Sequence, residues 1–444
     1  MRLVRGAEAG EGRPLKTFRR FAGCCCSAWT LVGTAQSRQE RRWRRNLSIP
    51  HDLNYFETDR HWDRMTIYID VSAAIHQQAG LARYAESLAR ALLTYHRQEH
   101  SFGLFYNRDR GDKPPPDLET VPARTVRAGY KPWRMAVWLG QRIGVSFDRF
   151  LPDAELFHAT EHLLMPLRRV PAVLTVHDLV YHLFPAYHKR LNYWYLNAAM
   201  PLFVQRADAL ITISESSKRD LMRIYGVPEE KITVVYEAAS PDFRPASAED
   251  VAEVKAYYGL PERYLLALGT IEPRKNLIRL VDALRLLRQK DHMLSLVIVG
   301  SAGWLYQDFF QHLEKLDDPR AVLLSGYVPD THLPAVITGA AAYVLASFYE
   351  GFGLPILEAM ACGTPVVCSN TSSMPELGGD AARYFDPHDT QGMVTAISTV
   401  LESKDIRAEM RERGLAQAAR FSWQRTAKET LAVYERVLGK RRSA

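Results

Sequence analysis

The chain has 444 residues and a mass of 50.5 kDa, which exceeds the usual size of a single core and predicts two domains. Its composition, with 47% hydrophobic and 24% charged residues, is typical of a globular protein and argues against global disorder. No apolar run in the sequence approaches the roughly 20 residues that a membrane helix needs.

The net charge of +7 is concentrated at the start of the chain. Residues 1–64 contain 13 Lys and Arg against 7 Asp and Glu, a net charge of +6 that leaves +1 for the other 380 residues. Nucleic-acid binding by the body of the protein therefore lacks electrostatic support. We expect residues 1–64 to form a basic, disordered leader. A targeting or membrane-surface arm is the alternative, but the segment lacks a clean signal-peptide pattern.

Cysteine use follows the same division. Cys24, Cys25 and Cys26 lie in the leader, and only Cys362 and Cys368 lie in the body. This pattern is neither a disulfide framework nor a spaced zinc site, so it favours a reducing, cytoplasmic setting.

From Met65 onward, short apolar runs alternate with helical patterns, which is typical of a doubly wound α/β sheet. One amphipathic helix is predicted early in this region, from apolar residues at helical spacing: Leu81, Tyr84, Leu88 and Leu92. Six strands are predicted in the first half, at residues 66–71, 103–106, 156–158, 172–176, 209–213 and 233–236.

Residues 237–250 contain two prolines and no apolar period, so they are predicted to link two domains. The alternation then restarts, with strands predicted at 264–268, 296–300, 322–325, 342–346 and 365–368. A last helix over 423–438 follows the N-cap candidate Ser422. The predicted domains are 65–245, 246–422 and a C-terminal helix with a basic tail, 423–444. Two such sheets facing each other would form a ligand cleft.

The most informative segment is 347–365, which reads Ser-Phe-Tyr-Glu-Gly-Phe-Gly-Leu-Pro and continues to Gly-Thr-Pro. A strand ends near Ala346, and a helix begins near Leu354 with Pro355 tolerated in its first turn. The unpaired amides of a helix start favour anions, and Gly351 and Gly353 allow close approach to the backbone. The segment is therefore a candidate binding site for a diphosphate.

Two carboxylates, Glu350 and Glu358, lie eight positions apart in this segment. Their spacing alone fits either solvated charges or groups that accept hydrogen bonds from sugar hydroxyls. The segment resembles the donor-site motif of the family 4 retaining glycosyltransferases, and the resemblance continues through residues 359–367 and 372–376. This resemblance implies the GT-B fold of two facing Rossmann-like domains. It also implies that Glu350 contacts the donor sugar, that Glu358 holds the nucleotide ribose, and that the backbone of Phe352, Gly353 and Leu354 faces the sugar and diphosphate.

A second segment, Gly-Thr-Ile-Glu-Pro-Arg-Lys-Asn-Leu at 269–277, resembles the diphosphate-clamping loop of the same family. Many members place an arginine where this chain has Thr270, and Arg274 beside Lys275 would supply the charge. The alternative is a solvated basic turn.

Three further residues match family positions. Gly80, in the predicted loop after the first strand, resembles the glycines near the donor phosphate, although many members have more glycines there. His177 ends an apolar strand and resembles the histidine that approaches the reacting sugar. Tyr327 lies in the segment that resembles the nucleobase cradle.

The resemblance implies transfer from a nucleotide diphosphate sugar to a hydroxyl of a sugar or lipid-linked glycan acceptor, with retention. The donor motif offers helix amides and basic groups for the diphosphate and no clear paired-aspartate cation site, so we expect no metal or other cofactor. By the same resemblance, the Glu-Pro-Arg-Lys-Asn form of the loop implies a mannosyl donor. A nucleotide-sugar epimerase, a phosphorylase or a non-catalytic sugar-nucleotide-binding protein are the alternatives. The aromatic and basic stretch 130–138 fits peripheral contact with the inner membrane face, but a partly buried helix is favoured.

Overall fold

The computed structural model describes residues 64–109 and 112–442, and the predicted leader lies outside these residues except for Arg64. The described chain forms two parallel sheets with helices packed against them, which confirms the predicted α/β class. Each predicted strand overlaps an observed one.

The first sheet has seven strands in the order β3-β2-β1-β4-β5-β6-β7. Their bounds are β1 Thr66–Asp70, β2 Ser101–Arg108, β3 Ala123–Arg127, β4 Leu156–Ala159, β5 Ala172–Val176, β6 Ala209–Thr212 and β7 Ile232–Val234. The helices of this half are α1 Ser72–Ile75, α2 Ala79–His96, α3 Tyr130–Ile143, α4 Val180–Leu183, α5 Arg190–Arg206 and α6 Glu215–Tyr225.

The second sheet has six strands in the order β10-β9-β8-β11-β12-β13. They are β8 Tyr264–Leu268, β9 Ser295–Val299, β10 Val322–Gly326, β11 Ala342–Leu345, β12 Val366–Ser369 and β13 Ala382–Phe385. The helices are α7 Ala248–Tyr258, α8 Leu277–Leu287, α9 Gln307–Glu314, α10 Leu333–Thr338, α11 Leu354–Ala361, α12 Met374–Gly378, α13 Thr390–Glu402, α14 Lys404–Ala418 and α15 Trp423–Arg442.

The central strands are buried on both faces, because helices cover both sides of a parallel sheet. In β1, Ile67 and Ile69 join one hydrophobic core while Tyr68 joins another. In β8, Leu266 joins the core that contains Ile67, while Leu265 joins a third core. One core therefore contains residues from both halves of the chain, which holds the two sheets together.

The predicted linker, residues 237–250, overlaps the first turn of helix α7. Ser247 accepts a hydrogen bond from the backbone N–H of Asp250 at 3.1 Å, and the two residues form a capping box at the start of α7. Residues 248–250 therefore belong to the helix rather than to the linker.

The last helix returns to the first half of the molecule. Ser422 accepts a hydrogen bond from the Arg425 backbone N–H at 3.2 Å, which confirms the predicted N-cap, and the helix runs four residues past its predicted end, to Arg442. It packs against α2, and the Tyr434 hydroxyl lies 2.6 Å from Nδ1 of His158 in β4. Within the described residues, no helix has the length and apolar character needed to cross a membrane.

Candidate functional site

The predicted donor helix, α11, begins beyond the carboxyl edge of the second sheet. Strand β11 ends at Leu345 and the helix starts at Leu354, with Pro355 in its first turn. The preceding Gly353 has a φ of +104°, a left-handed conformation that favours glycine. After the helix, Gly363 has a φ of +72° and turns the chain toward β12. The predicted strand, loop and helix are confirmed.

The loop between β11 and α11 contacts the first half of the chain directly. A Cβ atom at Gly351 would lie 2.6 Å from the carbonyl oxygen of His177, so no larger residue fits there without movement. The Ser214 hydroxyl donates to the Gly351 carbonyl at 2.7 Å, and the Tyr349 hydroxyl donates to Asp220 at 2.6 Å. The loop is therefore held between the two halves.

Glu350 lies at the centre of a buried ion-pair cluster in this loop. Its carboxylate lies 2.7 Å from Nζ of Lys275 and 2.8 Å from Nη1 of Arg274. The Ser347 hydroxyl also donates to it, at 2.5 Å, and Arg274 makes a second ion pair with Glu272. The structure thus brings together three predicted site residues from segments about 75 positions apart.

The charges in this cluster determine one another's ionisation. Burial alone would raise the pKa of Glu350, but Arg274 and Lys275 outweigh it and hold the pKa at about 2. Burial alone would lower the pKa of Arg274, but the carboxylates of Glu350 and Glu272 keep it above its ordinary value. The cluster therefore brings two basic and two acidic side chains together, all with little exposure to solvent.

The loop that carries the two cations is fixed to the end of β11. Residues Pro273–Lys275 form a short 3-10 turn, which Asn276 ends with a φ of +55°. The Asn276 side chain donates to the carbonyl of Ala346 at 3.1 Å. Gly269 has a φ of +125°, and a Cβ there would lie 3.2 Å from the Lys275 side chain. The glycine therefore gives the lysine room to extend past the end of β8.

Glu358 lies one turn into α11 and is only 2% exposed. Burial raises the pKa of its carboxyl to about 7, and nearby Asp330 and Glu237 add to the shift while Arg83 opposes it. Arg83 reaches across from α2 and places Nη1 2.9 Å from Glu358 and Nη2 2.5 Å from Asp330. In this structure the first half therefore supplies a cation to the carboxylate predicted to hold the ribose.

His177 follows β5 and is buried beside the donor loop. Its Nε2 donates to the carbonyl of Thr160 at 2.8 Å, while Nδ1 lies 3.5 Å from the carboxylate of Glu237. The edge of its ring meets Tyr84 in α2, with centroids 4.7 Å apart. These contacts fix the imidazole, and its backbone is the part that touches Gly351.

The predicted loop position of Gly80 is wrong. The chain turns earlier, at Gln77 with a φ of +49°, and Gly80 is the second residue of helix α2. A Cβ at Gly80 would meet no atom within 4 Å among the described residues. The local geometry therefore gives no reason for a glycine at this position.

Tyr327 and Phe352 occupy contrasting environments. The side chain of Tyr327 follows β10 and is 73% exposed, and the chain turns just before it at Gly326 with a φ of +72°. Phe352 is 4% exposed and lies near Tyr236 of the first half, with ring centroids 6.3 Å apart. The Phe352 side chain thus packs in the core, so only its backbone is available to a ligand.

Comparison with known proteins identifies the family. The Glycosyl transferases group 1 family model matches residues 255–417, and the Glycosyltransferase Family 4 model matches residues 79–243. O-antigen chain mannosyltransferase B of Escherichia coli is 36% identical over 282 residues, which cover 63% of this chain and 74% of that protein. The chain is a family 4, group 1 glycosyltransferase. Its predicted enzyme class is therefore confirmed, and the epimerase, phosphorylase and non-catalytic alternatives are not favoured.

Two further proteins resemble this glycosyltransferase. Serotype-specific mannosyltransferase WbdA of Escherichia coli is 32% identical over 241 residues, which cover 53% of this chain but only 29% of WbdA. The crystal structure of Anabaena Alr3699/HepE in complex with UDP and glucose matches with a TM-score of 0.64 and 19% identity, covering 84% of this chain and 99% of that chain. The second likeness confirms the predicted GT-B fold.

Two residues that form contacts between the two halves of the chain are not predicted by the sequence analysis. Arg83 was missed because its partner Glu358 lies 275 positions away, and an exposed helical arginine has no distinguishing pattern. Glu376, in the matched segment 372–376, accepts hydrogen bonds from the backbone N–H groups of Glu215 and Ser216, both at 2.8 Å. Glu376 thus caps helix α6 of the opposite half, a contact that only the motif resemblance could have indicated.

Proposed function

We propose that this glycosyltransferase moves a sugar from a nucleotide diphosphate sugar to a hydroxyl group of a sugar or lipid-linked glycan acceptor, with retention of the anomeric configuration. The observation that carries the proposal is the buried cluster of Lys275, Arg274 and Glu350 beside the start of α11. Two cations and a helix N-terminus suit a diphosphate, and a carboxylate suits sugar hydroxyls.

Each predicted residue has a role in this proposal. Lys275 and Arg274 pair with the diphosphate, Glu350 contacts the transferred sugar and Glu358 holds the ribose. His177 lies beside the reacting sugar, and Gly80 lies near the donor phosphate. The remaining contacts come from backbone groups. The backbone of Tyr327 contacts the nucleobase, and the backbone of Phe352, Gly353 and Leu354 contacts the sugar and diphosphate.

The proposed reaction is a displacement on a single face of the sugar. The acceptor hydroxyl oxygen bonds to the anomeric carbon on the side from which the diphosphate leaves. The bond between that carbon and the phosphate oxygen breaks with its electron pair on the phosphate, which takes the hydroxyl proton. Lys275, Arg274 and the amides of α11 stabilise the charge on the leaving group, so the reaction needs no metal ion.

Mannose is the proposed sugar, and polysaccharide synthesis is the proposed setting. The support is the similarity to O-antigen chain mannosyltransferase B and to WbdA, together with the Glu-Pro-Arg-Lys-Asn loop. The proposed domains are 65–245 on the acceptor side, 246–422 on the donor side and the C-terminal helix from 423.

A cytoplasmic location at the inner membrane face is also part of the proposal. Helix α3 buries Trp133 and Val137 on one side. Along its other side, Met135, Leu139 and Ile143 are between 51% and 64% exposed at successive four-residue steps. Such an apolar stripe beside basic residues suits a membrane surface.

The proposal is tested by a screen of GDP-mannose, UDP-glucose and related donors with a panel of glycoside acceptors. We expect transfer from one donor, and NMR should show the donor's anomeric configuration in the product. A product with inverted configuration would contradict retention. Donor epimerised in the absence of any acceptor would favour the epimerase alternative.

A further inference from the structure

Arg83 brings a guanidinium from the first half of the chain to the donor site of the second half. It lies in the second turn of α2, and it contacts Glu358 of α11 through Nη1 at 2.9 Å and Asp330 through Nη2 at 2.5 Å. The Arg83 side chain is 40% exposed, whereas that of Glu358 is almost completely buried. Arg83 therefore reaches from the solvent side to the carboxylate that is proposed to hold the ribose.

The contacts of Arg83 are ones that a bound donor would change. Ribose hydroxyls that bind Glu358 would compete with Arg83 for its carboxylate. The other partner of Arg83, Asp330, has a side chain that is 59% exposed. Ion pairs between exposed side chains contribute little to stability. A donor bound at Glu358 would therefore leave Arg83 weakly held and able to pair with another anion.

The buried cluster beside α11 uses its positive charge within the protein. Lys275 pairs with Glu350, and Arg274 pairs with both Glu350 and Glu272. Arg274 also donates to the backbone carbonyl of Tyr349 at 2.5 Å. Two basic side chains are thus matched by two acidic ones. A diphosphate bound beside this cluster would be stabilised further by any additional positive group.

Arg83 lies close to the position proposed for the diphosphate. Glu358 follows Leu354, the first residue of α11, by four positions, which is a rise of about 6 Å along the helix. The guanidinium that contacts Glu358 is therefore about one helical turn from the helix N-terminus, whose amides favour phosphate. Rotation about the side-chain bonds of a long arginine can move its guanidinium over such a distance.

The surface of α2 next to Arg83 leaves room for this movement. Gly80 lies three positions before Arg83, on the same face of the helix. A Cβ at Gly80 would meet no atom within 4 Å among the described residues. The space one turn before Arg83 is therefore open to a phosphate group or to the guanidinium itself.

We propose that Arg83 moves from Glu358 to the diphosphate of the donor when the ribose binds Glu358. This inference rests on the proposed transferase function. The ribose hydroxyls replace Arg83 at the carboxylate, and the guanidinium pairs with phosphate oxygens, which its planar fork of N–H groups can contact in pairs. The first half of the chain then supplies part of the positive charge that stabilises the leaving diphosphate.

The experiment compares the Kd of GDP with that of guanosine, and the Kd of UDP with that of uridine, by calorimetry on the full chain. The measured quantity is the ratio of the nucleoside Kd to the diphosphate Kd. Both members of a pair carry the ribose, so a change in competition for Glu358 affects both equally and cancels in the ratio. For the base whose diphosphate binds the unaltered chain, Arg83→Met should lower this ratio about tenfold.

Two further variants separate the charge of Arg83 from its packing. Arg83→Lys keeps a positive charge that can pair with phosphate, so it should keep most of the ratio. Arg90→Met is the matched control, because Arg90 lies on the same helix, is 42% exposed and pairs with Glu86 and Asp117. This control should leave the ratio unchanged. Circular dichroism melting checks that each variant is folded.

An unchanged ratio in Arg83→Met would overturn the inference, even if both ligands bound more tightly, because Arg83 would then only compete with the ribose. An equal fall in Arg90→Met would also overturn it, since the effect would belong to the general charge of the helix. Failure of the proposed function is distinguishable: the unaltered chain would then bind neither GDP nor UDP, whereas failure of this inference appears only in the Arg83 variants.

Discussion

Replacing Lys275 by methionine should weaken the binding of nucleoside diphosphate and of intact donor alike. The Lys275 side chain is 13% exposed, and its Nζ lies 2.7 Å from Glu350, so its charge acts where little water competes. Methionine keeps most of the length and removes only the charge. A charge-assisted contact contributes roughly 1.5 to 3 kcal/mol, which corresponds to a loss of about 10- to 150-fold in affinity for both ligands.

Glu350→Gln should behave differently from Lys275→Met. In the structure Glu350 partly neutralises Lys275 and Arg274, so its removal leaves both cations facing the diphosphate with less opposing charge. We therefore expect affinity for nucleoside diphosphate to be retained or to rise a few-fold. Turnover should fall, and the extra affinity that the sugar gives to intact donor should be lost, because the carboxylate that would accept its hydroxyls is gone.

Calorimetric titration of both variants with nucleoside diphosphate and with intact donor separates these roles. The exposed ion pair of Lys290 and Glu402, 3.7 Å apart, supplies matched controls in Lys290→Met and Glu402→Gln. Circular dichroism checks that each variant is folded. Equal losses for both ligands in both variants would refute the division between sugar and diphosphate contacts.

Three further outcomes are expected. A chain starting at Met65 should melt cooperatively and bind nucleoside diphosphate, because β1 begins at Thr66; a lost melting transition would contradict this. EDTA should leave turnover largely intact, because in the proposed mechanism Lys275, Arg274 and the helix amides balance the charge of the diphosphate; loss restored by manganese would contradict metal independence. Donor affinity should fall up to about tenfold per pH unit below pH 7, because Glu358, with a pKa of about 7, becomes protonated. If a Glu358→Gln variant kept this pH dependence, protonation of Glu358 would be excluded as its cause.

The central strands could be predicted from the sequence because strands buried on both faces read as continuous apolar runs. Two edge strands could not. In Ala123–Arg127 the side chains alternate between exposed and half-buried, and Arg124 and Arg127 break any apolar run. Strand Ala382–Phe385 has only four residues, and Arg383 at its second position is exposed. An edge strand pairs with a neighbour on one side only. Its side chains are therefore less buried, and its sequence shows a weaker apolar pattern.

The donor side could be predicted from two local segments because glycines, prolines and charges at fixed spacing determine a strand-to-helix turn. The pairing of Glu350 with Lys275 and Arg274 could not be predicted, because no sequence pattern shows that β8 and β11 are neighbours in the sheet.

Segment 347–365 also carries contacts that join the two halves of the chain. Ligand binding at this segment would therefore be linked to how the two halves are arranged. Arg83 of the first half pairs with Glu358, and Tyr349 and Gly351 bond to Asp220 and Ser214 of the first half. A ribose bound to Glu358 would compete with Arg83 for the same carboxylate. The free energy of donor binding then includes the loss of that contact, and by linkage any change that weakens the contact changes donor affinity by the same amount. With the proposed ribose contact of Glu358, contacts between the halves contribute to the free energy of donor binding even where they touch no ligand.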